Sequence, residues 1–210
     1  MVMPPEDRWV TGTSEPFDLA GFVEALASDQ PLPAGGAAAA LAGVLAAALV
    51  EMAAGRAANE ETGDLVRQAA EWRAALLRAI EEDVAAYQGY LAARRLPRGD
   101  EAQRRWRDEA IQRAIRAATI APLNVARLVN DVLGALAELA AYVRPALIGD
   151  LAMAAYLAEA VLRGSALNAR LNLRDYADAT EREELLARAD QLVAAGERKR
   201  EAIVRLAEGR

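Results

Sequence analysis

The 210-residue chain contains no cysteine and no histidine. These two absences exclude disulfides, thiolate nucleophiles, zinc sites built from Cys and His, and every catalytic scheme that relies on a histidine base. Any catalysis must then come from carboxylates, amides, backbone dipoles or the side chains of Lys, Arg and Tyr. We expect neither a metal site nor a bound cofactor.

Aromatic residues are scarce as well, at 5% of the chain, although 54% of the residues are hydrophobic. A composition rich in alanine and poor in aromatics suits closely packed helices better than a β-sandwich. The length fits one large domain with a sizeable core. The sequence predicts an all-α fold, a bundle of long antiparallel helices around a buried Ala/Leu-rich central helix. Residues 1–17 are expected to form a flexible arm and residues 18–210 a single helical domain.

Basic residues are outnumbered by acidic ones, and the formal net charge is −6. This charge argues against nucleic acid or an anionic membrane surface as the main partner. The first ten residues lack a basic region followed by an apolar core, so we expect no signal peptide and a cytoplasmic location. The uncharged run from Pro31 to Val50 is long enough to span a bilayer. Because no Lys/Arg cluster or aromatic belt flanks it, we expect a core helix and no membrane association.

The most apolar stretch is PLPAGGAAAALAGVLAAALVEM, residues 31–52. Its prolines end whatever precedes them, its glycine pair allows a tight backbone path, and helix formers then continue up to Glu51. The backbone N–H groups of Gly35, Gly36 and Ala37 have no partners within such a helix, so an anionic or carbonyl group of a ligand can dock on them. The alternative is a helix start with a glycine pair that serves close packing alone.

A carboxylate stands on the apolar side of the next predicted helix, Asp64 to Arg94. Asp83 follows Ile80 by three residues and precedes Tyr87 by four, which places it on the stripe that should be dry. A buried Asp without a cation has its pKa raised, and this suits proton transfer near neutral pH. The alternative is an Asp at the edge of the stripe that reaches solvent or caps a neighbouring helix.

The second half of the chain is predicted to be helical with few interruptions. A helix from about Asp100 to Val143 should be kinked or broken near residues 119–121, because Pro122 lies inside its pattern. Arg144-Pro145 ends that element, and a last amphipathic helix covers about Thr180 to Glu208.

Three polar residues between these two helices are further candidates. Asp150 begins a helix, where capping alone explains it equally well. After a bend at Gly164-Ser165, Asn168 and Asn172 lie on one helical face. Their amides suit a planar heterocycle with paired donors and acceptors, or they bridge helices.

Taken in order, these segments resemble the cyclodeaminase/cyclohydrolase family of folate enzymes, and the likeness covers nearly the whole chain after about Asp18. Six motifs in the right order are far more specific than any one of them. They are residues 31–52 quoted above, Asp83-Val84-Ala85-Ala86-Tyr87, Arg95-Leu96-Pro97, Ala121-Pro122-Leu123, Gly149-Asp150, and the run NARLNLRD from Asn168 to Asp175.

The resemblance implies an all-α subunit, a homodimer, and a pocket for a folate substrate beside the glycine turn. It implies that Asp83 is the catalytic, proton-transferring residue. The substrate-binding residues that it implies are Gly35, Gly36, Ala37, Asp150, Asn168 and Asn172.

The implied activity is hydrolysis of 5,10-methenyltetrahydrofolate to 10-formyltetrahydrofolate by carboxylate acid/base catalysis. The alternative within the family is a formiminotetrahydrofolate cyclodeaminase that releases ammonia. The sequence does not separate the two, and we favour the hydrolase because no formiminotransferase domain is attached. Ala34, Ala37 and Gly149 replace a glycine and two serines of the family pattern, which keeps a third interpretation open, a non-catalytic folate-binding helical dimer.

Overall fold

The computed structural model describes residues 17–57 and 62–209. Within these ranges the chain forms six α-helices and no strand, so the predicted all-α bundle is confirmed. Residues 1–16, nearly all of the predicted arm, lie outside the described ranges. The helices are α1 (Leu19–Leu26), α2 (Gly35–Ala57), α3 (Gly63–Arg94), α4 (Glu101–Leu139), α5 (Ile148–Asn172) and α6 (Ala179–Glu208), with 3-10 turns at Pro145–Leu147 and Leu173–Asp175.

Helix α2 packs against α3, α4 and α5, and its small residues set how closely they approach. At Gly43 an added Cβ atom would stand 3.0 Å from a methyl group of Leu76 and 3.1 Å from one of Val129. Glycine at this position therefore lets α3 and α4 reach the α2 backbone. The opposite face of α2 is not enclosed, since Leu45 is 52% exposed. Helix α2 thus contacts three other helices, and its remaining face is open to solvent.

The sequence predicts a kink or a break near Pro122, and the break is wrong, because α4 continues from Glu101 to Leu139. The kink stays a prediction. Proline has no N–H to donate, so the carbonyl of Ala118 loses its usual partner one turn later. The side-chain amide of Asn172 on α5 donates to that carbonyl over 2.7 Å. The missing backbone bond is thus replaced from a neighbouring helix, and the partly buried carbonyl stays satisfied.

Helix α5 also differs from the sequence prediction at two points. It begins at Ile148, directly after a 3-10 turn with Pro145 at its first position, so Asp150 lies in the first turn and is not the N-cap. The chain is not interrupted at Gly164-Ser165, where a bend is expected, and α5 is continuous to Asn172. A glycine inside a helix costs only about 1 kcal/mol, which packing against α2, α4 and α6 readily offsets.

Three helical segments of the described ranges are long and apolar enough to cross a membrane, judged by length and composition alone. They are Gly35–Ala57, Glu101–Leu139 and Pro145–Asp175.

Candidate active site

A cavity of about 480 Å³ lies between the start of α2, the second half of α3 and the end of α5. Its size falls in the usual range for small-molecule sites, about 300–1,000 Å³. Asp83 is the one carboxylate among the described residues that line it. The structure therefore brings five of the seven predicted site residues to one place: Gly35, Gly36, Asp83, Asn168 and Asn172.

The Asp83 carboxylate rests directly on the first turn of α2. It accepts a hydrogen bond from the backbone N–H of Ala37. An added Cβ at Gly36 would stand 2.0 Å from Oδ1 of Asp83 and 2.4 Å from Cγ, closer than atoms can approach. No glycine in the described ranges has a positive φ, so a left-handed backbone conformation is not the reason for glycine at position 36. Gly36 is needed because a carboxylate occupies the place of its side chain.

Two opposing effects set the protonation of Asp83. Burial raises the pKa of its carboxyl above the ordinary value of 3.8, and this is the larger effect. The hydrogen bond from the Ala37 N–H stabilises the ionised form and partly opposes the rise. The N-terminal turn of a helix carries partial positive charge, which also favours a carboxylate. Asp83 thus remains a base whose proton affinity is greater than that of a solvated aspartate.

We expect Asp83→Asn to stabilise the fold at neutral pH. The folded pKa of Asp83 lies above the unfolded value, so the folded state binds the proton more tightly. Wild-type stability relative to the variant is therefore greatest below about pH 3.8 and falls as pH rises through the folded pKa. Urea denaturation at neutral and acidic pH measures this difference. An Asp83→Asn protein no more stable than the wild type at pH 7 would contradict the expectation.

Ala37 and Asp150 do not line the cavity. Ala37 is completely buried, and it takes part through the backbone N–H that holds Asp83, so direct contact of its side chain with a ligand is not supported. Asp150 lies in the first turn of α5, whereas Asn168 lies near the other end of that helix. Eighteen residues of α-helix separate them by roughly 27 Å. The predicted binding role of Asp150 stays a prediction.

Several lining residues were not predicted as part of the site. Tyr87 lies on the apolar stripe of α3, yet it is 39% exposed and lines the cavity one turn after Asp83. Its spacing of four residues from Asp83 was the available signal. Pro31 and Leu32, from the loop before α2, complete the wall, and the Leu32–Pro33 peptide bond of that loop is cis.

The fold and the site together define a class: an all-α protein with one partly buried carboxylate, seated on a helix N-terminus, in a cavity large enough for a substrate. A sequence model of the formiminotransferase-cyclodeaminase family matches residues 18–191. The chain belongs to this family.

Similar proteins fall into two groups. A methenyltetrahydrofolate cyclohydrolase from Methylorubrum extorquens is 32% identical over 181 residues, which cover 82% of this chain and 87% of that protein. A formimidoyltransferase-cyclodeaminase from Gallus gallus is 29% identical over 168 residues, 76% of this chain but 31% of that protein. The chain thus spans about a third of the Gallus gallus protein.

A solved structure of a similar protein has the same fold. The crystal structure of formiminotetrahydrofolate cyclodeaminase from Thermotoga maritima superposes with a TM-score of 0.83 at 26% sequence identity. The match covers 92% of this chain and 96% of that one.

Proposed function

We propose that this chain is a folate one-carbon enzyme that hydrolyses 5,10-methenyltetrahydrofolate to 10-formyltetrahydrofolate, with Asp83 as the proton-transfer group. The proposal rests on the position of Asp83. Its partly buried carboxylate lines the cavity and accepts a hydrogen bond from the Ala37 N–H. The similarity to a methenyltetrahydrofolate cyclohydrolase, over most of both chains, supports this choice of reaction.

The chemistry needs one carboxylate. The substrate is a cation whose amidinium-like carbon is already electron-poor, and ionised Asp83 stabilises it electrostatically. A water molecule adds to that carbon and gives one proton to the Asp83 carboxylate. The bond from the carbon to one ring nitrogen then breaks, the nitrogen receives the proton from Asp83, and the remaining hydroxyl proton goes to solvent as the formyl C=O forms. The carboxylate ends as it began, and one proton is released per turnover.

The test is the decay of the methenyltetrahydrofolate chromophore with purified protein, corrected for spontaneous hydrolysis. We expect acceleration in proportion to protein concentration. A rate equal to the spontaneous one would exclude the hydrolase.

A second candidate is the cyclodeaminase reaction, favoured by the similarity to the Thermotoga maritima protein, which is named for that activity. It joins a nitrogen to the formimino carbon and expels ammonia, with the same need for a proton shuttle. Ammonia release from formiminotetrahydrofolate distinguishes it. Calorimetric binding of folate without either turnover would instead indicate the non-catalytic folate-binding dimer. Loss of a hydroxyl at Ala37 does not itself favour that third case, because the residue holds Asp83 through its backbone.

We further propose that the chain forms a homodimer and does not associate with a membrane. Neighbouring helices α2 and α5 expose large apolar side chains, with Leu45 52%, Met153 57% and Tyr156 49% exposed. Sedimentation in detergent-free buffer should give twice the chain mass of 22.4 kDa. Met153→Glu should shift the protein to monomer, whereas Leu206→Glu, on α6, should not. A monodisperse wild-type monomer would exclude the dimer, and aggregation without detergent would favour a membrane.

A further inference from the structure

A second cavity, of about 170 Å³, adjoins the one that contains Asp83. The two share lining residues from three helices: Tyr87, Ala118, Leu171 and Asn172. The smaller cavity adds Tyr90 and Asp175 to this shared wall. The two cavities therefore lie side by side and share part of their walls.

The side walls of this second cavity suit a flat ring. Tyr87 and Tyr90 stand nearly one turn apart on α3, with ring centroids separated by 6.3 Å. Leu171, on α5, belongs to the same lining and is 43% exposed. Arg94 donates to the Tyr90 hydroxyl over 3.1 Å and its guanidinium lies 5.8 Å from the ring centroid, which fixes that ring. Aromatic and aliphatic walls of this kind bind planar heterocycles by stacking and burial.

Asp175, an exposed residue, supplies the carboxylate of the second cavity. Its backbone is fixed, because the Gln112 amide donates to the Asp175 carbonyl over 3.0 Å and accepts from the Ala177 N–H over 2.8 Å. The Asp175 side chain forms no hydrogen bond or ion pair with the residues of the described ranges. The Asp175 carboxylate, with two acceptor oxygens, thus stands on a fixed backbone beside a cavity whose other polar side chains are the Asn172 amide and two tyrosine hydroxyls.

We propose that the second cavity binds the 2-amino-4-oxopteridine ring of the substrate, with the Asp175 carboxylate accepting from the ring N3–H and the 2-amino group. The inference rests on the proposed function and adds the orientation of the substrate. These two donors lie side by side and match the two oxygens of a carboxylate. The other end of a folate carries carboxylates, which Asp175 repels. The ring therefore lies toward Asp175, and the glutamate end lies toward the opposite side of the main cavity.

The test measures binding of two small pteridines that differ at one group. Pterin carries the 2-amino group, whereas lumazine carries an oxo group in its place. We expect Asp175→Asn to bind pterin about 10- to 100-fold more weakly, the usual loss for a charge-assisted hydrogen-bonded pair. It should bind lumazine at least as well as the wild type does, because an amide can accept from N3–H and donate to the 2-oxo group. Asp175→Glu should recover part of the pterin affinity. Glu184→Gln removes the same charge from an exposed site on α6 and should change neither affinity.

Turnover separates this inference from the proposed function. With methenyltetrahydrofolate, Asp175→Asn should raise KM by a similar factor and leave kcat within about threefold, since the group binds and does not react. No pterin binding by the wild type, or equal binding by folded Asp175→Asn, would overturn the inference even if turnover is normal. Pterin binding that depends on Asp175, in a protein without turnover, would support this site while excluding the hydrolase.

Discussion

Asp83→Asn is expected to lower kcat for methenyltetrahydrofolate hydrolysis by about 10²- to 10⁴-fold, the usual contribution of a general acid/base. Asparagine keeps the shape of the side chain and can still accept from the Ala37 N–H, so the cavity should be unchanged. It cannot take a proton from water, and it carries no charge to stabilise the cationic substrate. The measurement is the chromophore decay at saturating substrate, corrected for the spontaneous rate.

The matched control is Glu82→Gln, the same chemical change at the neighbouring position of α3. Glu82 is exposed, and it is absent from the cavity lining. This variant should retain the parent kcat. A folded Asp83→Asn protein that hydrolyses the substrate at the parent rate would remove Asp83 from the mechanism.

The same substitution is expected to inactivate the enzyme and to stabilise its fold, and both effects have one cause. A carboxylate with a raised pKa is costly to keep ionised in the folded state. That cost is acceptable only where the charge and its proton affinity are used, which is why stabilising changes at active sites are often costly to activity. A gain in stability together with a loss of turnover would therefore mark Asp83 as functional more securely than either result alone.

The position of Asp83 was predictable because helical periodicity is a local property. A spacing of three residues from Ile80 and four from Tyr87 places it on the apolar stripe of α3. The partner of that carboxylate was not predictable. Its contacts with Gly36 and Ala37 join two helices, and periodicity on one helix does not say what faces it on another.

Pro122 is a second case in which a contact between helices was not predictable from one segment. The rule that proline interrupts a helix concerns the lost N–H bond of the same segment. In the structure Asn172, from a different helix, supplies the missing donor to the Ala118 carbonyl, and α4 continues. The sequence placed Asn172 at a helix face and left open whether its amide serves a ligand or bridges helices. It bridges α5 to α4 through Nδ2, and it also lines the cavity.

Gly36→Ala is the second change with a large expected effect. The new Cβ would meet Oδ1 of Asp83 at 2.0 Å, so the carboxylate must move away from the first turn of α2. A misplacement of about 1 Å in a catalytic group costs on the order of 10²-fold in rate. We expect kcat to fall by about that factor, with helix content by circular dichroism unchanged. Gly55→Ala is the matched control, because it lies on the same helix and its added Cβ meets no atom within 4 Å.

A double-substitution cycle decides how Gly36→Ala acts. If the alanine works by displacing the Asp83 carboxylate, then adding it to Asp83→Asn should cost almost nothing more in kcat, since the group that it displaces no longer transfers protons. If the alanine instead damages the cavity in general, the two losses should multiply. Multiplicative losses would contradict the role assigned to Gly36. A double variant no slower than Asp83→Asn would show that glycine is needed at position 36 to leave room for the Asp83 carboxylate.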